Sequence, residues 1–166
     1  MAKSESFDIT TGCDLQEVDN ALNQARRELQ NRYDFKGVKA DIDFDREAGT
    51  INIHTQEQFH LDQIWTVLVS KFVARKVPVE NMNRDEPEDA GGDTRRQLIT
   101  LVQAIDSDTG RKINKFIKDL KIKKVQSQIQ NDAVRVSAPK RDDLQTAMAA
   151  LREEDWGMKL NFGNYR

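Results

Sequence analysis

Redox-active sulfur and soft metal ligands are nearly absent from this chain. Cys13 is its only cysteine, so no disulfide can form within it and a reducing compartment is the natural setting. His54 and His60 are its only histidines, too few beside one cysteine for a zinc-type site. No apolar run approaches the length of a bilayer span. Met1 to Ser6 lacks the basic and apolar regions of a secretory leader. These absences make the cytoplasm the expected location and exclude a membrane partner. The GxxxxGK phosphate loop, the GxGxxG dinucleotide fingerprint and the GxSxG nucleophile elbow do not occur. Cys13 has no neighbouring base to activate it. The acidic groups Asp142-Asp143 and Glu153-Glu154-Asp155 fall beside helix ends, where carboxylates serve as caps and solvated charge. The expectation is a binding protein with no catalytic residues, no metal and no cofactor.

What the chain does have is regular patterning. Its 166 residues are 37% hydrophobic and 33% charged, a balance that suits two small domains with much surface. Phe7-Asp8-Ile9-Thr10 alternates as a strand does. Asp14 followed by Glu17 opens a helix, and Leu15, Val18, Leu22, Ala25 and Leu29 mark its apolar stripe. Ala40, Ile42 and Phe44 alternate with three aspartates. After the Ala48-Gly49 turn, Ile51 and Ile53 complete a hairpin. A second helix carries Leu61, Ile64, Trp65, Leu68, Val69, Phe72 and Val73. Val77-Pro78-Val79 reads as a short edge strand. Residues 83–94, acidic and holding Pro87 and a double glycine, read as a linker.

The order then repeats: a strand at Leu98 to Val102, a helix at Ile113 to Leu120, and strands around Val125–Gln130 and Val134–Ser137. A helix at Leu144 to Leu151 and a strand at Leu160–Phe162 follow. Val38-Lys39-Ala40-Asp41-Ile42-Asp43 is echoed by Val125-Gln126-Ser127-Gln128-Ile129-Gln130. The reading is α+β: two tandem ferredoxin-like βαββαβ domains, divided at Gly92. In each, a four-stranded antiparallel sheet is covered on one face by two helices.

Charge divides unevenly. Residues 1–92 hold 11 Lys/Arg against 18 Asp/Glu, and residues 93–166 hold 15 against 10. The open face of the first sheet is expected to show Asp41, Asp43, Asp45, Asn52 and His54. The second is expected to show Gln126, Gln128, Gln130, Arg135, Ser137, Lys159 and Asn161, whose amides and cations suit base edges and phosphates. Neither face carries the outward aromatics on which RNA-recognition domains stack bases. A row of cations, Arg111, Lys112, Lys115, Lys118, Lys121, Lys123 and Lys124, is denser than helix capping needs and fits phosphate. Arg32-Tyr33-Asp34-Phe35-Lys36-Gly37 interleaves two aromatics with two cations. There a base could stack on Tyr33 while Phe35 anchors the loop. A nucleotide needs stacking, phosphate charge and base-edge hydrogen bonds together, so the ligand is expected where this loop meets the basic half.

Three segments resemble the YajQ family of bacterial proteins: Ser6-Phe7-Asp8-Ile9, Asp14 to Ala21 and Arg32-Tyr33-Asp34-Phe35-Lys36-Gly37. Lys124 to Gln130 and Lys140-Arg141-Asp142-Asp143-Leu144-Gln145 extend the resemblance to the second half. It implies two ferredoxin-like domains that exchange their N-terminal strands, so that the first is residues 13–92 and residues 1–12 complete the second, 93–166. It implies a non-catalytic nucleotide-binding protein whose ligand is GTP, ATP or cyclic di-GMP. Alternatives are a general module for transfer RNA, or a regulator that contacts a protein or DNA under nucleotide control. The expected contact set is Arg32, Tyr33, Phe35, Lys36, Lys112, Lys115, Lys118, Lys121, Lys123, Lys124, Gln126, Gln128, Arg135, Lys140 and Arg141. Gly163, where an apolar residue is usual, and the long acidic segment 83–94 depart from the family pattern.

Overall fold

The computed structural model describes residues 4–166. The chain runs β1 (Glu5–Thr10), α1 (Leu15–Asn31), β2 (Ala40–Asp45), β3 (Thr50–Thr55), α2 (Gln58–Ala74), β4 (Met82–Arg84), β5 (Glu88–Ala90) and β6 (Thr94–Leu101). It continues with α3 (Ser107–Asp119), β7 (Gln126–Gln130), β8 (Ala133–Ala138), α4 (Arg141–Glu153) and β9 (Asn161–Gly163). Two compact units result: a central unit, Cys13–Val102, and a split unit, made of the first twelve residues with Gln103–Arg166.

In the central unit the strand order is β2-β3-β6-β4, with β5 pairing β6 beyond β4. Every pairing is antiparallel. One core holds the stripe of α1 (Val18, Leu22, Ala25, Leu29), the stripe of α2 (Leu61, Ile64, Leu68, Phe72) and the inward strand residues Ile42, Ile51, Ile53, Ile99 and Leu101. Asp14 caps α1 by accepting from the amides of Gln16 and Glu17 at 3.0 and 3.4 Å. That satisfies two of the amides a helix start leaves free. Glu17 instead reaches Arg75 at the far end of α2, 2.8 Å away, and Lys71 meets Glu28 at 2.9 Å.

In the split unit the order is β7-β8-β1-β9, again antiparallel throughout. Phe7 and Ile9 of β1 are fully buried with Ile113, Val134, Val136 and Leu151. The strand that precedes α1 in sequence therefore lies in the sheet of α3 and α4. The strand that precedes α3 lies in the sheet of α1 and α2. Each unit keeps two helices on a βαββαβ-type antiparallel sheet, and the leading strands are exchanged.

Three expectations change. The boundary at Gly92 moves to Val102, because β6 hydrogen-bonds β3, β4 and β5 and buries Ile99 and Leu101 in the central core. Residues 83–94 are half strand: β4 and β5 line the same edge of β6, residues 85–87 link them, and residues 91–93 make the turn into β6. Val77-Pro78-Val79 is not a strand. Val79–Asn81 forms a single 3-10 turn, and the strand begins one residue later at Met82. Pro78 supplies the extended entry, and Asn81 fixes the turn by donating to the Val102 carbonyl at 2.8 Å.

Candidate functional site

The Arg32–Gly37 segment leaves α1 as a 3-10 turn, Tyr33–Phe35, followed by a reverse turn closed from the Val38 amide to the Phe35 carbonyl at 3.0 Å. Gly37 sits at φ +76°, a conformation that disfavours a side chain. Phe35 is buried and Tyr33 is 90% exposed. Arg32 grips both oxygens of Asp34 at 2.9 and 2.8 Å. This guanidinium holds the Asp34 carboxyl below its usual range. The charge of Arg32 is thus spent on stiffening the turn. Lys36 and the Tyr33 ring are what the turn offers to a ligand.

Three residues outside the expected set adjoin this turn. His60, 7% exposed, lies between the Phe35 ring at 5.4 Å and the Phe59 ring at 4.0 Å. Gln63 donates to Asp34 at 3.2 Å. Phe59 is 52% exposed, a second accessible ring beside the same aromatic group. The sequence signal was an aromatic–histidine pair just ahead of the α2 stripe, with Phe59 off the stripe.

In the split unit, α3 buries Ile113 and Ile117 and turns Lys112, Lys115 and Lys118 to solvent. Lys121, Lys123 and Lys124 follow in the turn to β7 and are also exposed. None of these six forms an ion pair among the described residues. This turn repeats the one after α1: the Val125 amide bonds the Ile122 carbonyl at 3.3 Å. Lys124, at φ +65°, takes the place of Gly37, and Lys121 is left-handed as well, at φ +55°. Left-handed backbone is unfavourable for a residue with a β-carbon. Two such positions in one short turn are filled with lysine, one of them matched by glycine in the first copy.

Strand register gathers more cations at this end. Gln126 pairs with Ser137, and Ala138 pairs with Glu5, so the start of β7 and the end of β8 lie together. Lys140 and Arg141 open α4 directly after β8. The Lys140 side chain makes no cap, so the first amides of α4 add their own positive end. Asp142 and Asp143 in the first turn, and Glu5 at 3.7 Å from Arg141, offset part of this charge.

Of the expected contact set, Gln126, Gln128 and Arg135 face outward on the open sheet, as their register requires. Arg135 is not a free cation, because Asp8 holds it at 2.9 Å. The set falls in two places: Arg32, Tyr33, Phe35 and Lys36 in the central unit, and the remainder in the split unit. The first sheet's outward residues are Asp41, Asp43, Asn52 and His54, with Arg96 and Leu98 of β6 beside them. His54 is engaged with Thr94 at 2.7 Å.

Burial pushes the Cys13 thiol up to about 11, so it stays protonated and poorly nucleophilic near neutrality. Among the described residues no group of three or more His, Cys, Asp or Glu side chains is disposed to hold a metal ion. No helix among the described residues is long and apolar enough to cross a membrane.

The family described as "Nucleotide-binding protein YajQ-like" matches residues 5–166. Proteins of Bacillus cytotoxicus, Bacillus cereus and Bacillus anthracis, each named a nucleotide-binding protein, are 48% identical over 166 residues, covering the whole of both chains. Their names speak of binding and not of catalysis. A match over nearly the full length at this identity leaves one assignment: the chain belongs to the family of YajQ-like nucleotide-binding proteins.

Proposed function

We propose that this chain binds a nucleotide without transforming it, holding the phosphates at the cationic end of the split unit. The observation that carries the reading is the lysine cluster of α3 and its following turn. Six exposed lysines lack ion-pair partners among the described residues, and two occupy backbone that a lysine ordinarily avoids. Lys140, Arg141 and the start of α4 supply further positive potential. Gln126 and Gln128 on the adjoining sheet offer amide groups to a base edge. Separately, in the central unit, the exposed Tyr33 ring and Lys36 offer a stacking surface and a cation. The ligand classes to compare are GTP, ATP and cyclic di-GMP.

Calorimetric titration of the full chain with these three nucleotides tests the reading. Binding by one of them, weakened by the double reversal Lys112→Glu and Lys115→Glu, is the expected result. Absence of heat with all three, at protein well above micromolar, sinks it. A second reading, a module for transfer RNA, uses the same lysines as an extended track. It predicts affinity for transfer RNA that falls steeply with salt, as several counterions are released. It also predicts little affinity for mononucleotides. A regulator that contacts protein or DNA under nucleotide control differs from both in partner capture that changes when the nucleotide is added.

A further inference from the structure

The duplication has produced two equivalent clefts, one in each unit, between the first helix and the outer strand of the sheet. In the central unit the helix side of the cleft is Arg26, Leu29 and Gln30, and the strand side includes Val38, Ala40 and Asp41. In the split unit the helix side is Asn114, Ile117 and Lys118, and the strand side is Val125, Gln126 and Ser127. The spacing along the two helices is the same. The volumes are similar, about 410 and 370 Å³.

The two edges beside these clefts are treated differently. Among the described residues β2 pairs only with β3 and β7 only with β8, so each presents a row of unpaired backbone groups. Such an edge templates another strand unless it is blocked. β2 is blocked. Arg26 donates from Nε and Nη2 to the Ile42 carbonyl at 3.2 and 2.6 Å, and three aspartates line the strand. β7 has no charge, no proline and no covering guanidinium. The residue in the place of Arg26 is Asn114, whose Oδ1 is shielded from solvent and has no hydrogen-bond partner. Ile129 of the same strand is 36% exposed. Lys118, Lys121, Lys123 and Lys124 surround the near end of the edge, exposed and without ion-pair partners among the described residues.

We propose that the β7 edge is a docking site for an acidic, extended polypeptide segment, which adds to the sheet as an outer strand. Its backbone takes the unpaired N–H and C=O groups of Gln126–Gln130. An alternate apolar side chain enters the cleft between Ile117 and Val125, and a backbone N–H of the added strand donates to the Asn114 Oδ1. Its carboxylates meet the lysines of the α3–β7 turn. A nucleic acid could use the lysines, but it has no ladder of alternating amide donors and acceptors to match a strand edge. The proposal does not depend on the nucleotide reading.

A capped peptide of alternating glutamate and valine serves as the probe for the full chain. Backbone exchange is read at each residue of β7. The expected result is added protection at alternate amides of Gln126–Gln130. Methylating the peptide's own backbone nitrogens along one edge should weaken binding by about tenfold or more, the effect of losing two or three ladder hydrogen bonds. Asn114→Arg, which copies the blocked edge of the central unit, should abolish peptide binding and leave any nucleotide binding in place. Three results overturn the proposal: no binding, binding indifferent to nitrogen methylation, or β7 protection produced by a single-stranded RNA and not by the peptide. The methylated-peptide arm needs no variant, so a poorly folding Asn114→Arg chain leaves the test intact.

Discussion

At the scale of single residues, the lysines in left-handed backbone carry the sharpest expectation. Lys124 has the turn geometry that Gly37 has in the other unit. Removing its side chain relieves the backbone, by about 1 kcal/mol if the two conformations match. If the charge serves a ligand, Lys124→Gly raises thermal stability while lowering nucleotide affinity. A paired measurement of melting temperature and calorimetric affinity checks this. Loss of both quantities would mean that Lys124 is an ordinary structural residue. Tyr33 and Phe35 form a second contrast within one turn. Phe35 is 5% exposed and Tyr33 is 90% exposed. Phe35→Ala should destabilise by about 3–5 kcal/mol, the usual loss for a buried aromatic ring. Tyr33→Ala should leave unfolding unchanged. Where a base stacks on Tyr33, the same variant weakens binding by about 1–3 kcal/mol. Denaturant titration and ligand titration of the two variants separate anchor from platform.

At the scale of elements, apolar alternation and helical stripes were legible wherever the inner face was built from large side chains. Ile42, Ile51 and Ile53 marked β2 and β3, and Val134 and Val136 marked β8. The signal failed for β5 and the first half of β6. Glu88–Ala90 and Thr94–Arg96 carry no large apolar side chain, so the strand pattern emerged only from Leu98, as the Leu98–Val102 strand. The pairing of Arg32 with Asp34 and of Arg135 with Asp8 was equally hidden, since charge counts do not tell a paired cation from a free one. Phe59 and His60 were hidden because they precede the stripe of their helix. The exchange itself could not come from element order, which is the same for exchanged and unexchanged chains. Asp8 links this point to a measurement. It lies on β1, and Arg135 of β8 bonds it, drawing its carboxyl below the ordinary value of 3.8. Burial opposes that shift, and Asn164 aids it. A depressed folded value means the pair stabilises fully above the ordinary carboxylate range. That contribution is lost as the pH falls through the lower, folded value. Acid should therefore weaken the hold of β1 on β8, and Asp8→Asn should remove this part of the pH dependence. Trp156 packs in the split unit and Trp65 in the central unit. The fluorescence of Trp156 in a Trp65→Phe background thus reports acid unfolding of the split unit. An Asp8→Asn chain with an unaltered acid profile would show that Asp8 makes no net contribution.

For the whole molecule, the exchange alters how sequence maps onto stability and charge. Cys13–Val102 carries 12 Lys/Arg against 17 Asp/Glu, and the other unit carries 14 against 11. The acidic and basic division survives the corrected boundary, although β1 brings its two carboxylates to the basic unit. Stability follows the same division. β1 is not a peripheral tail: it lies between β8 and β9 and buries Phe7 and Ile9 completely. Deleting residues 1–12 removes a central strand from the split unit and exposes Val134 and Val136 along its whole length. The central unit keeps its own inner strand, β6, with Ile99 and Leu101 in place. Hydrogen exchange on the truncated chain should show protection lost across α3, β8 and α4 and kept in α1, β3 and α2. The converse variant, Ile99→Ala, should cost the central unit about 2–5 kcal/mol, as large-to-small changes in a core do. It lies in the second half of the chain yet should spare the protection of α3 and α4. If truncation instead stripped protection from α1 and α2, β1 would belong to the unit that follows it in sequence, and the exchanged arrangement would be wrong.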